Sequence, residues 1–281
     1  MRARPSPIAG TWYPGTPAVL TGDIERFLAE VEPHPLGGKL WGVVAPHAGY
    51  TYSGAVAAYA FKQFEGLKPG SVVIVSPLHA SHPAPLLTTA YDAYQTPLGT
   101  VEVDKAALNA LDRTLRARIG VGLIPLEEDA EHSLEIELPF LQHLLGTFSL
   151  VPVMIRDQRV EVAQALGRAL AEILGERQPL FVASTDLSHF YAEERARELD
   201  REMLERIEHF DPAAVIAAET EGVGFACGRG AVSAVLWATR SLGADRETLL
   251  RHDTSGSVSG DFTSVVGYGA AAIWQEDQRS E

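Results

Sequence analysis

What most constrains this chain is a pattern that occurs twice: a short apolar run that breaks at a proline and is followed almost at once by a histidine. Leu40 to His47 reads Leu-Trp-Gly-Val-Val-Ala-Pro-His, and Ser71 to His79 reads Ser-Val-Val-Ile-Val-Ser-Pro-Leu-His. An apolar run without alternation is the signature of a strand buried on both faces, and proline cannot continue its ladder. Each histidine therefore falls just past the carboxyl end of a strand, where open α/β sheets bind their ligands. A third run, Leu180 to His189, ends in Asp186 and His189. Three strands are thus expected to deliver imidazoles and a carboxylate to one edge of a sheet.

The segments between these runs alternate with them. An N-terminal arm precedes an amphipathic helix around Leu20 to Val31, and Ser53 is placed to cap a helix carrying Val56, Tyr59, Ala60 and Phe64 at helical spacing. Ala80 to Pro97 suits an extended excursion, Gly99 to Val103 an edge strand, and Asp104 caps a helix to about Arg118. Glu127 to Leu145 is helical by period, kinked or restarted at Pro139, which would make His132 and Glu135 neighbours on one helix. A strand from Phe148 to Ile155 and a helix from Val160 to Leu174 continue the alternation. Helices then run from Glu193 to about Phe210, from Asp211-Pro212, and through Ala238. Thr254 to Asp261 reads as a polar loop and Thr263 to Trp274 as a closing strand. This order predicts an α/β fold: a single domain, residues 1–281, with a largely parallel central sheet flanked by helices on both faces.

Charge and cysteine usage narrow the function. With 23 basic and 37 acidic residues the net charge is −14, which argues against nucleic acid or an anionic membrane surface as the main partner. Met1 to Pro7 is followed by no apolar signal core, and no apolar stretch reaches about 18 residues, so a cytoplasmic location is expected. Cys227 is the only cysteine, which excludes an intrachain disulfide and any zinc site needing two cysteines from one chain.

Two histidines at strand ends plus one anionic ligand make a facial site with open coordination positions, as in non-haem iron(II) enzymes. The candidates are His47 and His79 with either Asp186 or Cys227. Asp186 and His189, three residues apart, suit an orienting pair, an acid/base pair or a helix cap. His132, beside Glu131 and Glu135, suits a base behind the ligands or a surface histidine in an acidic patch. Cys227 precedes Gly228-Arg229-Gly230 and a helix, a setting that favours a thiolate able to bind metal or attack an electrophile, though a buried cysteine also serves as filler. Arg229 is suited to hold an anionic substrate group or to pair with a carboxylate.

Six ordered motifs then resemble the Memo family from the Gly10-Thr11-Trp12-Tyr13-Pro14 arm to the last strand. They are Pro46-His47-Ala48-Gly49-Tyr50 with Tyr52-Ser53-Gly54, Thr96-Pro97-Leu98-Gly99, Glu131-His132-Ser133-Leu134-Glu135, Ser184-Thr185-Asp186-Leu187-Ser188-His189, Ala226-Cys227-Gly228-Arg229-Gly230 and Val265-Val266-Gly267-Tyr268. The resemblance implies a fold like that of the class III extradiol dioxygenases and, in bacteria and archaea, the protein B component of the AmmeMemoRadiSam system, hence partners in a radical SAM-associated system. By position it implies His47, His79 and Cys227 as metal ligands, with His132, Asp186 and His189 lining the pocket as the catalytic candidates. Arg229 and Tyr50 are the candidate substrate contacts. Iron(II) is the expected ion, with copper or zinc as alternatives. Leu78 stands where the family usually has a polar residue, which would make the pocket drier. The expected function is redox or dioxygenase-like chemistry on an unknown small molecule. The competing expectations are a non-catalytic cleft for a peptide or protein, and metal-free nucleophilic chemistry by Cys227, His189 and Asp186.

Overall fold

The computed structural model describes residues 1–32 and 34–277. Its centre is a run of parallel strands in the order Gly99–Val103, Ser149–Ile155, Ser71–Pro77, Pro179–Ser184 and Gly38–Ala45. The middle strands Ser71–Pro77 and Pro179–Ser184 are buried along their whole length, as their unbroken apolar sequence demands. Val265–Glu276 closes the sheet antiparallel to Gly38–Ala45 and carries Arg246–Thr254 antiparallel on its other side. At the far edge the short strand Ala3–Arg4 pairs with Ala93–Thr96.

Helices cover both faces. Lys105–Ile119, Val160–Leu174 and Arg229–Ser241 pack on one side, and Pro17–Ala29, Tyr50–Lys62 and Leu138–Leu145 on the other. The expected α/β architecture is present, with a mostly parallel sheet between two helical layers. Among the described residues no helix is long and apolar enough to cross a membrane.

Several local expectations are corrected. The helix before Lys62 begins at Tyr50, so Ser53 is inside it; its hydroxyl donates to the Ala48 carbonyl rather than capping the first turn. Gly99–Val103 is not an edge strand, because Ala93–Thr96 covers its outer side; that strand and Leu86–Thr89 lie within the stretch read as an excursion. Arg246–Thr254 is a further strand, whose few apolar positions give no strand pattern in the sequence, and Gly256–Ser259 forms a helical turn where a polar loop is expected.

The most consequential correction is at Glu127 to Leu145. Helix occupies only Leu138–Leu145, with Pro139 in its first turn, after a 3₁₀ turn at Glu135–Glu137. Upstream, side chains take the backbone groups a helix would use: Asp129 accepts from the Glu131 N–H, and Glu131 accepts from the N–H groups of His132 and Ser133. Arg4, with no exposed surface, pins this loop from the far edge strand. Its guanidinium donates to the carbonyls of Asp129 and Glu131 and pairs with the carboxylates of Asp129 and Glu135.

Candidate metal centre

The strands Gly38–Ala45, Ser71–Pro77 and Pro179–Ser184 run parallel, so their carboxyl ends lie together. A cavity of about 470 Å³ opens there, lined by His47, His79, His132, Asp186 and His189, and by Trp12 and Tyr52 at its mouth. A second cavity of about 450 Å³ lies at the opposite, amino ends, lined by Lys39, Lys68 and Gln178. Among the described residues only the carboxyl-end cavity brings metal-ligating groups together.

His47 follows Pro46 directly. Its backbone N–H donates to Asp186 Oδ1 at 2.8 Å, which ties the end of one strand to the loop leaving another. Cys227 is brought in by close backbone contact. Its N–H donates to the Asp186 carbonyl, and the following Gly228 presses so tightly on the Pro179–Ser184 strand that a Cβ there would stand 2.3 Å from the Ser184 carbonyl oxygen. Only glycine permits that approach. Cys227 Sγ then lies 3.2 Å from His47 Nε2 and accepts from the Asp186 N–H at 3.3 Å.

Ligand atoms of His47, His79 and Cys227 all lie within 4.8 Å of one another. Two imidazole nitrogens and one sulfur suit iron, copper or zinc and disfavour magnesium or calcium, which prefer oxygen. A second group, His79, Glu131 and His132, is equally compact. Its carboxylate is already engaged: Glu131 accepts from His79 N–H at 2.7 Å, from His79 Nδ1 at 2.9 Å, and from the N–H groups of His132 and Ser133, each at 3.0 Å. A carboxylate offers about four acceptor sites, so Glu131 is the anchor that turns His79 Nε2 toward the cavity rather than a ligand.

The electrostatics differ from residue to residue. Burial, reinforced by His132 and His79, lowers the His47 imidazole well below its usual range and keeps it neutral. Burial also pulls at His79, but its hydrogen bond to Glu131 and that carboxylate's charge outweigh it, and its affinity for a proton rises. His132 is lowered to about 4, chiefly by burial. Asp186 is pushed up to about 7 by burial, against the N–H groups of His47 and Ala48. His189 donates Nδ1–H to the Leu187 carbonyl at 2.8 Å, leaving Nε2 as an acceptor. A bulge against Val265–Val266, with Phe190 at φ +63°, turns His189 inward and leaves Phe190 76% exposed.

Five placements depart from the sequence reading. Tyr50 points into the core, its hydroxyl donating to the Ile136 carbonyl and its ring against Tyr13, Phe27 and Phe140; Tyr52 is the tyrosine that lines the cavity. Arg229 pairs with Glu219 and does not line the cavity. Burial and the Asp186 carboxylate raise the Cys227 thiol, where the sequence suggested a thiolate favoured by Arg229. The imidazole bonded to that thiol is His47 rather than His189, and Glu135 turns away to Arg4 and Tyr13. Ser184, bonded to His47, has no role in the sequence reading beyond its place in a motif. Its signal was its place as the last residue of the Pro179–Ser184 strand, one strand away from His47.

Comparison with known proteins shows the family. The family described as Memo-like protein matches residues 4–272. A MEMO1 family protein of Methanothermobacter thermautotrophicus is 38% identical over 95% of this chain and 99% of its own length. Others from Methanopyrus kandleri, 38% identical over 94% of this chain and 96% of its own, and Nitrosopumilus maritimus, 34% identical over the same shares, extend the match. The crystal structure of an uncharacterized protein, JW3007, from Escherichia coli K12 superposes with a TM-score of 0.51 at 15% identity, covering 82% of this chain and 99% of that one, a likeness of fold alone. Matched over nearly its whole length, the chain belongs to the Memo-like family.

Proposed function

We propose that this protein is a cytoplasmic metal-dependent oxidoreductase acting on a small molecule, with His47, His79 and Cys227 holding an iron-type ion. One observation carries the reading: two imidazole nitrogens and a thiol sulfur from three separate segments converge within 4.8 Å of one another at the carboxyl end of the sheet, where both histidines line the cavity. When bound, such an ion supplies Lewis acidity and a redox couple with open positions for substrate. The chain supplies the rest. His189 presents Nε2 to accept a proton, and Asp186, with its affinity near neutrality, holds or releases one. Trp12, its ring tilted against that of His132 with centroids 4.3 Å apart, and Tyr52 form an apolar mouth that limits water.

The test is metal analysis of protein prepared without oxygen and titrated with iron(II), copper and zinc. Wild-type protein is expected to bind one ion, and His47→Ala, His79→Ala and Cys227→Ser to lose it; equal binding by all four would sink the proposal. The exposed side chains of Tyr52 and Phe190 near the mouth favour a second reading, a cleft for a peptide. Peptide capture that survives complete chelation would support it.

A further inference from the structure

The two candidate ligand imidazoles are fixed by different means. Glu131 holds His79 directly. His47 has no carboxylate on Nδ1; that nitrogen lies 2.9 Å from Ser184 Oγ, a hydroxyl with no exposed surface. A hydrogen bond between these atoms runs either way, and its direction decides which His47 nitrogen carries the proton.

The surroundings of Ser184 settle the direction. A serine hydroxyl has one proton and two lone pairs. Ser184 Oγ lies 2.6 Å from the Ser133 carbonyl, a group that only accepts, so the proton goes there. We propose that Ser184 is a positioning residue: by giving its only proton to the Ser133 carbonyl it makes His47 donate through Nδ1, and so turns the Nε2 lone pair toward Cys227. Ser133 is itself fixed, its hydroxyl donating to the Pro77 carbonyl at 3.0 Å and its N–H to Glu131, so the loop that anchors His79 also sets His47. The carboxyl of Glu137 neighbours Ser184 from within the core, with one oxygen lacking any partner. Burial lifts its affinity for a proton well above the carboxylate range, which weakens Glu137 as a competitor for the Ser184 proton.

The inference takes its purpose from the metal reading, but its test does not need metal. Nitrogen-15 spectra of labelled, metal-free protein show which nitrogen of His47 is protonated, the signals being assigned by their loss in His47→Gln. Wild-type protein is expected to carry the proton on Nδ1. Ser184→Ala is expected to move it wholly or partly to Nε2 and to weaken zinc binding by about 10–100-fold, the usual effect of losing such a partner. Ser184→Thr, which keeps the hydroxyl, restores both. Glu137→Gln, a neutral isostere, leaves the His47 spectrum unchanged. A wild-type proton on Nε2, an unaltered spectrum in Ser184→Ala, or a tautomer reversed by Glu137→Gln would each overturn the inference. Wild-type protein with the Nδ1 proton but no metal affinity would remove the metal reading and leave this one standing.

Discussion

The two walls of the cleft present the same nitrogen by opposite electrostatics. On the His79 wall the supporting groups are ionic: Glu131 grips His79, and behind it Arg4 lies buried between Asp129 and Glu135. On the His47 wall they are neutral: Ser184, the half-buried Cys227 thiol, and an Asp186 that keeps its proton to about pH 7. The difference teaches that imidazole orientation needs an acceptor but not a charge. What the charge changes is the imidazole's own basicity, raised for His79 and lowered for His47. One wall is suited to hold a proton and the other to stay neutral.

The sharpest way to break the contrast is to remove the cation from the ionic wall. Arg4→Met would strand Asp129 and Glu135 beside each other without exposure, and a loss of about 3–5 kcal/mol in denaturant unfolding is expected. A loss below about 1 kcal/mol would show that the wall does not depend on its ion pair.

The neutral wall responds to pH instead. Asp186 has a folded pKa near 7 against 3.8 in the unfolded chain. Between those values the folded protein holds the extra proton, so this group's contribution is fully present below about pH 4 and is lost as pH rises through 7. In metal-free protein Asp186→Asn should therefore gain about 1–3 kcal/mol at pH 8, inside the ceiling of about 4 kcal/mol set by the shift. The gain should vanish near pH 4. A constant difference across that range would mean Asp186 is ionised in the fold.

A third comparison sets the walls against each other directly. Glu131→Gln keeps the shape and removes the charge, and zinc affinity is expected to fall by about 10–100-fold, or roughly 1.4–2.7 kcal/mol. Its pH midpoint for metal binding should also move down, because His79 loses the group that raises its proton affinity. An unmoved midpoint would dissolve the distinction between charged and neutral support. The smallest effect belongs to the outside of the molecule. A double-mutant cycle on the half-exposed Arg195–Glu198 pair should give a coupling under about 1 kcal/mol, the scale against which Arg4 is judged.

How much of this was legible in the sequence follows from where each signal is carried. His47 and His79 announced themselves because an apolar run broken by proline is a local pattern, and local patterns survive in a single chain. The parallel order of the sheet followed from alternation. The Glu127 to Leu134 loop misled because its period is helical, while the groups that unwind it act across the fold: Arg4 bonds to residues 125 to 131 positions away. Ser184 and Glu137 carried no motif of their own, since their roles exist only once separate segments meet. Tyr50 and Tyr52 differ by two positions on one helix, and which faces the cavity was decided by packing against Phe140 and Phe27.

The strand Ala3–Arg4 pairs with one that begins at Ala93, and the carboxylates that neutralise Arg4 lie at Asp129 and Glu135. Each of these contacts closes a long loop, whose entropy cost is met only once the distant segments are held near one another. The clasp behind the His79 wall is therefore expected to close late in folding, after the sheet has gathered its parts.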